Sequence, residues 1–118
     1  MISFQEAVMW WCEVCHGKER ARNCTERSLR FTEESIELAQ AAGLPKEKIY
    51  QLVEYVYSKP VGSLPQEVGG VMVTLAAMCS AFLVHMQEEG ETELRRIWTV
   101  MDKIREKQKT KISVEIGL

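Results

Sequence analysis

The feature that most constrains the fold is a long run without a charged side chain, which lies between Glu67 and His85. A helix that is apolar on all sides is either a membrane span or the central buried helix of a bundle. The run is at the short limit for a span of about 20 residues. Its hydrophobicity is further reduced by four residues: Gly69, Gly70, Thr74 and Ser80. We therefore predict a buried central helix, with Glu67 as the lone acid at its N-terminal end.

Residues 27–42 predict an amphipathic helix that ends at Gly43, since Pro45 cannot continue it. Its apolar half consists of Leu29, Phe31, Ile36, Leu38, Ala39 and Ala42. The other half carries Arg30, Glu33, Glu34 and Glu37. Three carboxylates on neighbouring turns repel one another unless a cation lies among them. Alternatively, the acidic side is only a solvated face, in which Arg30 and Glu34 form an ordinary ion pair across one turn.

Four cysteines raise the question of a metal or haem. Residues 12–16, Cys-Glu-Val-Cys-His, match the pattern for covalent attachment of c-type haem. A zinc site from Cys12, Cys15, His16 and Cys24 is the next interpretation, although a second cysteine pair or histidine pair is missing. Cysteine is also a common small buried side chain. We take packing as the default role and predict neither haem nor zinc.

Length and charge set the broad class of the protein. A chain of 118 residues is expected to form one domain with a real core. A net charge of −2 offers no general attraction for nucleic acid or for an anionic membrane. The first residues show neither a basic region nor an apolar one of the kind found in a signal peptide. We therefore expect a cytoplasmic protein with reduced cysteines.

The rest of the chain predicts three more helices. Residues 3–16 have helical spacing and a capping box formed by Ser3 and Glu6. Residues 45–57 form an amphipathic helix with a proline near its start, and residues 91–109 form the last helix, with the tail 112–118 left loose or extended. The last helix carries many cations, among them Arg95, Arg96 and Lys103. Such positively charged side chains are typical of a solvated helix face and of a helix C-terminus.

Two of these elements together carry a resemblance. Residues 33–37, Glu-Glu-x-x-Glu, are followed about thirty residues later by Glu67-Val68-Gly69-Gly70 at the head of the second apolar helix. This resembles the MazG-like, all-α nucleoside triphosphate pyrophosphohydrolases, whose pattern is EExxE followed by ExxD. The phage-borne and phosphoribosyl-ATP pyrophosphohydrolase-like members look most similar, through Arg-Phe-x-Glu-Glu at residues 30–34 and the sequence of residues 66–77. The resemblance covers about residues 20–109.

The resemblance implies a four- to five-helix bundle that hydrolyses nucleoside triphosphates to a monophosphate and pyrophosphate. It implies Mg²⁺, or Mn²⁺, held by Glu34, Glu37 and Glu67, with Glu33 as a further ligand or a water-orienting base. Carboxylates with water and phosphate oxygens suit Mg²⁺. Candidates for holding the β- and γ-phosphates are Arg30, Arg95, Arg96 and Lys103. The resemblance also implies a homodimer or homotetramer.

One position departs from the family pattern, because Gly70 stands where the family has its closing aspartate. Either water or another acid fills that place, or metal binding is weak, or the fold has been kept without the chemistry. Two alternatives to the enzyme therefore stay open. One is a catalytically silent nucleotide-binding or assembly protein on the same fold, and the other is a helical module that binds a protein partner.

Overall fold

The computed structural model describes residues 1–111, and these residues form helices and no strands, which confirms the all-α prediction. The helices are α1 Phe4–His16, α2 Lys18–Ala21, α3 Cys24–Ala41, α4 Lys46–Tyr57, α5 Leu64–Ala81, α6 Met86–Thr99 and α7 Met101–Gln108. The described part of the chain thus has seven helices, where four or five were expected. The expectation for the tail 112–118 lies outside the described residues.

Local signals in the sequence explain where several helices begin and end. Ser3 and Glu6 form the predicted capping box at the start of α1. The N-terminus of α3 is capped by the side chain of Asn23, whose Oδ1 accepts a hydrogen bond from the Glu26 amide at 2.8 Å. Gly43, with φ of 90°, ends α3 in the left-handed conformation that glycine tolerates. The amide of the next residue, Leu44, then donates to the Ala39 carbonyl across this turn.

Several helix boundaries differ from prediction. Helix α5 begins at Leu64, because Pro65 is well suited to the first turn of a helix, and it ends at Ala81. The predicted helix over residues 91–109 is two helices in the structure. They are separated at Val100, whose φ of −124° and ψ of 25° are not helical. The upstream helix, α6, begins earlier than predicted, at Met86.

The described chain divides into two compact units. Among the described residues, unit 1 comprises residues 1–33 and 90–111, and unit 2 comprises Glu34–Glu89. Unit 1 has a core made of Trp11, Cys12, Cys15 and Ala21, against which partly buried side chains of α6 and α7 pack. The Trp11 indole Nε1 donates a hydrogen bond to the Ile97 carbonyl at 3.2 Å. That bond satisfies the polar atom of a buried ring.

Helix α7 is tied to the end of α1 by Arg105. Its Nε donates to the Cys15 carbonyl at 2.8 Å, and its Nη2 donates to the Val14 carbonyl at 3.1 Å. The last carbonyls of a helix have no partner within the helix, and a cation is favoured beside them. Arg105 therefore supplies both hydrogen bonds and a favourable charge to the C-terminus of α1.

In unit 2, the structure contradicts the predicted burial of α5. None of the residues from Leu64 to Ala81 is buried; Leu64 is 79% exposed and Val73 is 70% exposed. The half-buried residues of α5 are near its C-terminus: Leu75, Ala76, Met78 and Cys79. There, the end of α3 and the end of α5 line an open recess of about 400 Å³. The charge pattern predicted that α5 is a central buried helix, and within a single chain this prediction is wrong.

Within residues 1–111, no single helix is long and apolar enough to cross a membrane. Taken together, α5 and α6 reach the required length and composition, but the pair is bent by 102° at the break between them.

Candidate functional site

Among the four acids predicted for the site, Glu33 is the most constrained. Its Oε1 accepts a hydrogen bond from Arg30 Nη1 at 2.9 Å, and its Oε2 accepts one from Lys111 Nζ at 2.8 Å. Arg30 lies one turn earlier on α3, whereas Lys111 follows α7. Both carboxylate oxygens are thus engaged, so a metal ion at Glu33 would compete with two ion pairs for this carboxylate.

The other two acids of α3 lie in unit 2 and are exposed. Glu34 and Glu37 are three residues apart, so their side chains leave neighbouring turns of the helix. Within the described residues, no ion pair involves Glu37. Its carboxylate is therefore available to a cation from solvent.

Glu67 lies in the first turn of α5, as predicted, and is also exposed. Its side chain lies over the turn that precedes the helix. A Cβ atom built on Gly62 would be 3.3 Å from the Glu67 carboxyl carbon, so glycine leaves this carboxylate room. Gly70, three residues later, has no atom within 4 Å of such a Cβ. Position 70 can therefore accept a side chain without a clash.

The structure does not gather the predicted ligands into one cluster. In the stretch from Met1 to Lys111, no group of three or more His, Cys, Asp or Glu side chains is placed to hold a metal ion. Glu34, Glu37 and Glu67 all belong to unit 2 and all carry the hard oxygen donors that Mg²⁺ prefers. Their donor chemistry fits Mg²⁺, and the metal site they would form stays a prediction.

The cations predicted to bind phosphate have different surroundings. Arg30 is mostly buried and makes ion pairs with Glu26 and Glu33. On α6, Arg96 makes two hydrogen bonds to Glu93 at 2.7 and 2.8 Å, and Arg95 donates to Thr92. The Arg96 hydrogen bonds lower the pKa of the Glu93 carboxyl group. Arg95, Arg96 and Lys103 are exposed, as expected for a solvated face.

A charge cluster that the sequence analysis missed surrounds Glu26, which is only 4% exposed. Its Oε1 lies 3.1 Å from Arg20 Nη2, 3.5 Å from Arg30 Nε and 3.9 Å from Arg27 Nη2. A buried carboxylate requires such partners. The spacing of Glu26 and Arg30 by four residues was the signal that could have indicated it. The cluster connects α2 to α3 beside the predicted acids.

Cys12 and Cys15 of the cysteine motif are buried in the unit 1 core, as expected for side chains that pack there. Burial raises the pKa of the Cys12 thiol, and the nearby Arg27 guanidinium only partly opposes this. Burial likewise raises the pKa of Cys15. For His16, burial is the main cause of a lowered pKa, and the positive charge of Arg27 acts in the same direction. Cys24 is exposed and lies apart from this packing.

Comparison with known proteins provides no independent assignment of this site: no family model matches the chain, and neither the curated proteins nor the solved structures contain a match.

Proposed function

We propose that this chain is a Mg²⁺-dependent nucleoside triphosphate pyrophosphohydrolase. The observation that carries the proposal is the pair of acidic elements, Glu34 with Glu37 on α3 and Glu67 in the first turn of α5. All three residues are exposed. Carboxylates on regular helices are held more precisely than carboxylates on loops, which suits the binding of a metal and a triphosphate. A MazG-like fold, and a homodimer or homotetramer, belong to the same proposal.

In the proposed reaction, water attacks the α-phosphorus of the triphosphate. The bond from the α-phosphorus to the bridging oxygen breaks, and the products are a nucleoside monophosphate and pyrophosphate. Bound Mg²⁺ would offset the negative charge that develops on the phosphate oxygens. Glu34, Glu37 and Glu67 would hold it, and Glu33 would orient the attacking water or hold the metal after an ion pair opens. Arg30, Arg95, Arg96 and Lys103 are the proposed partners of the β- and γ-phosphates.

The test is the release of pyrophosphate from a panel of ribonucleoside and deoxyribonucleoside triphosphates, with Mg²⁺ or Mn²⁺ present. We expect a monophosphate and pyrophosphate in equal amounts, and no turnover when the metal is chelated. Glu37→Gln should lower the rate by at least roughly tenfold, as the loss of a metal-binding group does. Glu47→Gln, which removes an exposed acid from α4, is the matched control and should retain the full rate.

Three outcomes separate the proposal from its alternatives. Nucleotide binding without pyrophosphate release would favour a catalytically silent protein on the same fold. The absence of both binding and turnover would favour a helical module that binds a partner, which the exposed apolar side chains of α4 and α5 also suit. Equal rates for the Glu37 and Glu47 variants would remove Glu37 from the site.

A further inference from the structure

Arg27 of α3 is a cation whose charge the described residues compensate only weakly. Its side chain is 26% exposed, and its Nη2 lies 3.9 Å from the Glu26 carboxylate. Its Nη1 donates to the Cys12 sulfur at 3.9 Å, and its buried Nε has no hydrogen-bond acceptor among residues 1–111. A cation that is removed from water is costly without close partners. A further negative group near Arg27 would therefore be stabilised.

A second unsatisfied atom belongs to His16, the last residue of α1. Its Nδ1 is buried and has no hydrogen-bond partner in the described part of the chain. Burial and, after it, the positive charge of Arg27 lower the pKa of His16, so Arg27 lies close enough to act on the imidazole. A buried polar atom without a protein partner is rare and commonly marks a bound water or ion.

His16 also lines an open recess of about 440 Å³ in unit 1. Its wall includes Lys18, Arg20 and Asn23, whose side chains carry N–H donors. Ammonium and guanidinium groups bind phosphate oxygens through charge-assisted hydrogen bonds. Two acids also line the recess: Glu26, which Arg20 binds at 3.1 Å, and Glu19, which is exposed. Glu19 is therefore the acid that would oppose an anion there.

We propose that this recess binds the phosphate group of a small molecule, held by Lys18, Arg20 and the protonated ring of His16, with Arg27 adding positive charge behind the ring. We call it the oxyanion recess. Its volume leaves room for the organic part of a phosphate monoester beside the phosphate group. The inference goes beyond the proposed function, because it concerns unit 1 alone and requires neither Mg²⁺ nor turnover.

Binding is measured by calorimetry and by thermal melting of the chain in EDTA, with inorganic phosphate compared with chloride at equal ionic strength. We expect phosphate to raise Tm by roughly 4–6 °C at ten times its Kd. Glucose 6-phosphate is compared in the same way. Tighter binding of this monoester would assign the rest of the recess to its organic part, and equal binding would identify free phosphate as the ligand. Stabilisation no greater than that given by chloride would overturn the proposal.

Three variants locate the bound phosphate. Arg27→Gln should weaken phosphate binding by at least roughly tenfold, because a buried positive charge is lost. Arg22→Gln is the matched control, since Arg22 is 63% exposed and is paired with Glu13, and it should bind as the wild type does. Glu19→Gln should strengthen binding, because it removes the opposing charge. If Arg27→Gln does not fold, Glu19→Gln still decides: an unchanged affinity would place the phosphate outside this recess.

The histidines provide a readout that a purely structural ion cluster would not change. The chain has two histidines, and the second, His85, belongs to unit 2 and is the internal control. A bound anion favours the imidazolium form, so sulfate should raise the pKa of His16 relative to chloride at the same ionic strength. Sulfate is chosen because its charge is constant across the titration. By NMR, His85 should titrate alike in both salts. The same titration of His16 in both salts would exclude a bound anion beside its ring.

Discussion

Glu33 lies between Arg30 and Lys111, and this separates it chemically from Glu37 and Glu67 of the proposed site. A carboxylate with both oxygens bound to cations is already compensated, whereas Glu37 faces solvent without an ion pair among residues 1–111. An incoming cation gains most from a carboxylate whose charge is not yet compensated. At the residue scale, we therefore propose that a metal ion binds Glu37 and Glu67 before Glu33.

An aspartate at position 70, where the MazG-like pattern has one, tests this assignment. Gly70→Asp adds a carboxylate one turn after Glu67, in open space. If a cation binds there, the extra ligand should strengthen its binding about tenfold and add roughly 1 kcal/mol of stability, which corresponds to about 4 °C in Tm. Without Mg²⁺, the additional negative charge should make the variant less stable than the wild type.

Melting curves with and without Mg²⁺ measure both effects. Gly69→Asp is the matched control, because it also replaces an unobstructed glycine of α5 with an acid but points about 100° away around the helix. A Mg²⁺-induced shift for Gly70→Asp that is no larger than that of Gly69→Asp would place position 70 outside the site.

The four thiols should differ in reactivity. Burial raises the pKa of Cys12 and Cys15, so both stay protonated at neutral pH and are shielded from reagents. Cys24 is exposed, and Cys79 is half-buried. We expect one fast reaction with a thiol reagent under native conditions, assigned to Cys24 by mass mapping and removed by Cys24→Ser. Fast labelling of Cys12 or Cys15 in the folded protein would contradict the buried core.

At the scale of elements, Arg105 of α7 adds two hydrogen bonds at the end of α1 to the packing of Met101 and Ile104 against the core. Arg105→Met keeps most of the aliphatic length but removes the two hydrogen bonds to the Val14 and Cys15 carbonyls. We expect a loss of about 1–2 kcal/mol in the free energy of unfolding, measured by denaturant titration. Lys107→Met on the same helix is the control and should change stability by less than about 0.5 kcal/mol. If both variants lost the same free energy of unfolding, the hydrogen bonds from Arg105 to the end of α1 would contribute nothing specific.

Helix ends were predictable where a local signal exists. Ser3, Glu6 and Gly43 act through neighbours within one turn, and the structure has them in the predicted roles. The break at Val100 was missed, because no glycine or proline marks it and the apolar period continues across it. In the site, the positions of the acids on α3 and α5 followed from helical spacing. The pairing of Glu33 with Lys111 did not, because the two residues are 78 positions apart.

The burial of α5 was the largest error, and its cause lies at the scale of the whole molecule. The absence of charge in α5 after Glu67 indicates that the helix needs cover, but this pattern carries no information about which chain supplies the cover. The exposure of α5 in a single chain agrees with this charge pattern if a second chain covers the helix. Hydrophobic periodicity predicts that a surface is covered and leaves the covering partner undetermined.

Hydrogen exchange should therefore distinguish the two units. Amides of α1 around Trp11, Cys12 and Cys15 are expected to show strong protection at every concentration, because their core lies within one chain. Amides of α4 and α5 should become better protected as the protein concentration increases. Protection of α5 that is strong and independent of concentration would mean that the single chain supplies its cover.

The division of unit 1 along the chain affects the order of events during synthesis. Trp11 reaches its hydrogen-bond partner Ile97 across 86 positions of sequence, and all of unit 2 is made between them. A nascent chain emerges from its N-terminus, so α1 leaves the ribosome well before the residues that complete its core. The indole ring of Trp11 therefore stays exposed until a long loop closes. Closure of such a loop is slow relative to local helix formation. Helix α1 is therefore made before the other described helices but is among the last of them to be fully packed, and chains that stop before α6 leave it without its partners.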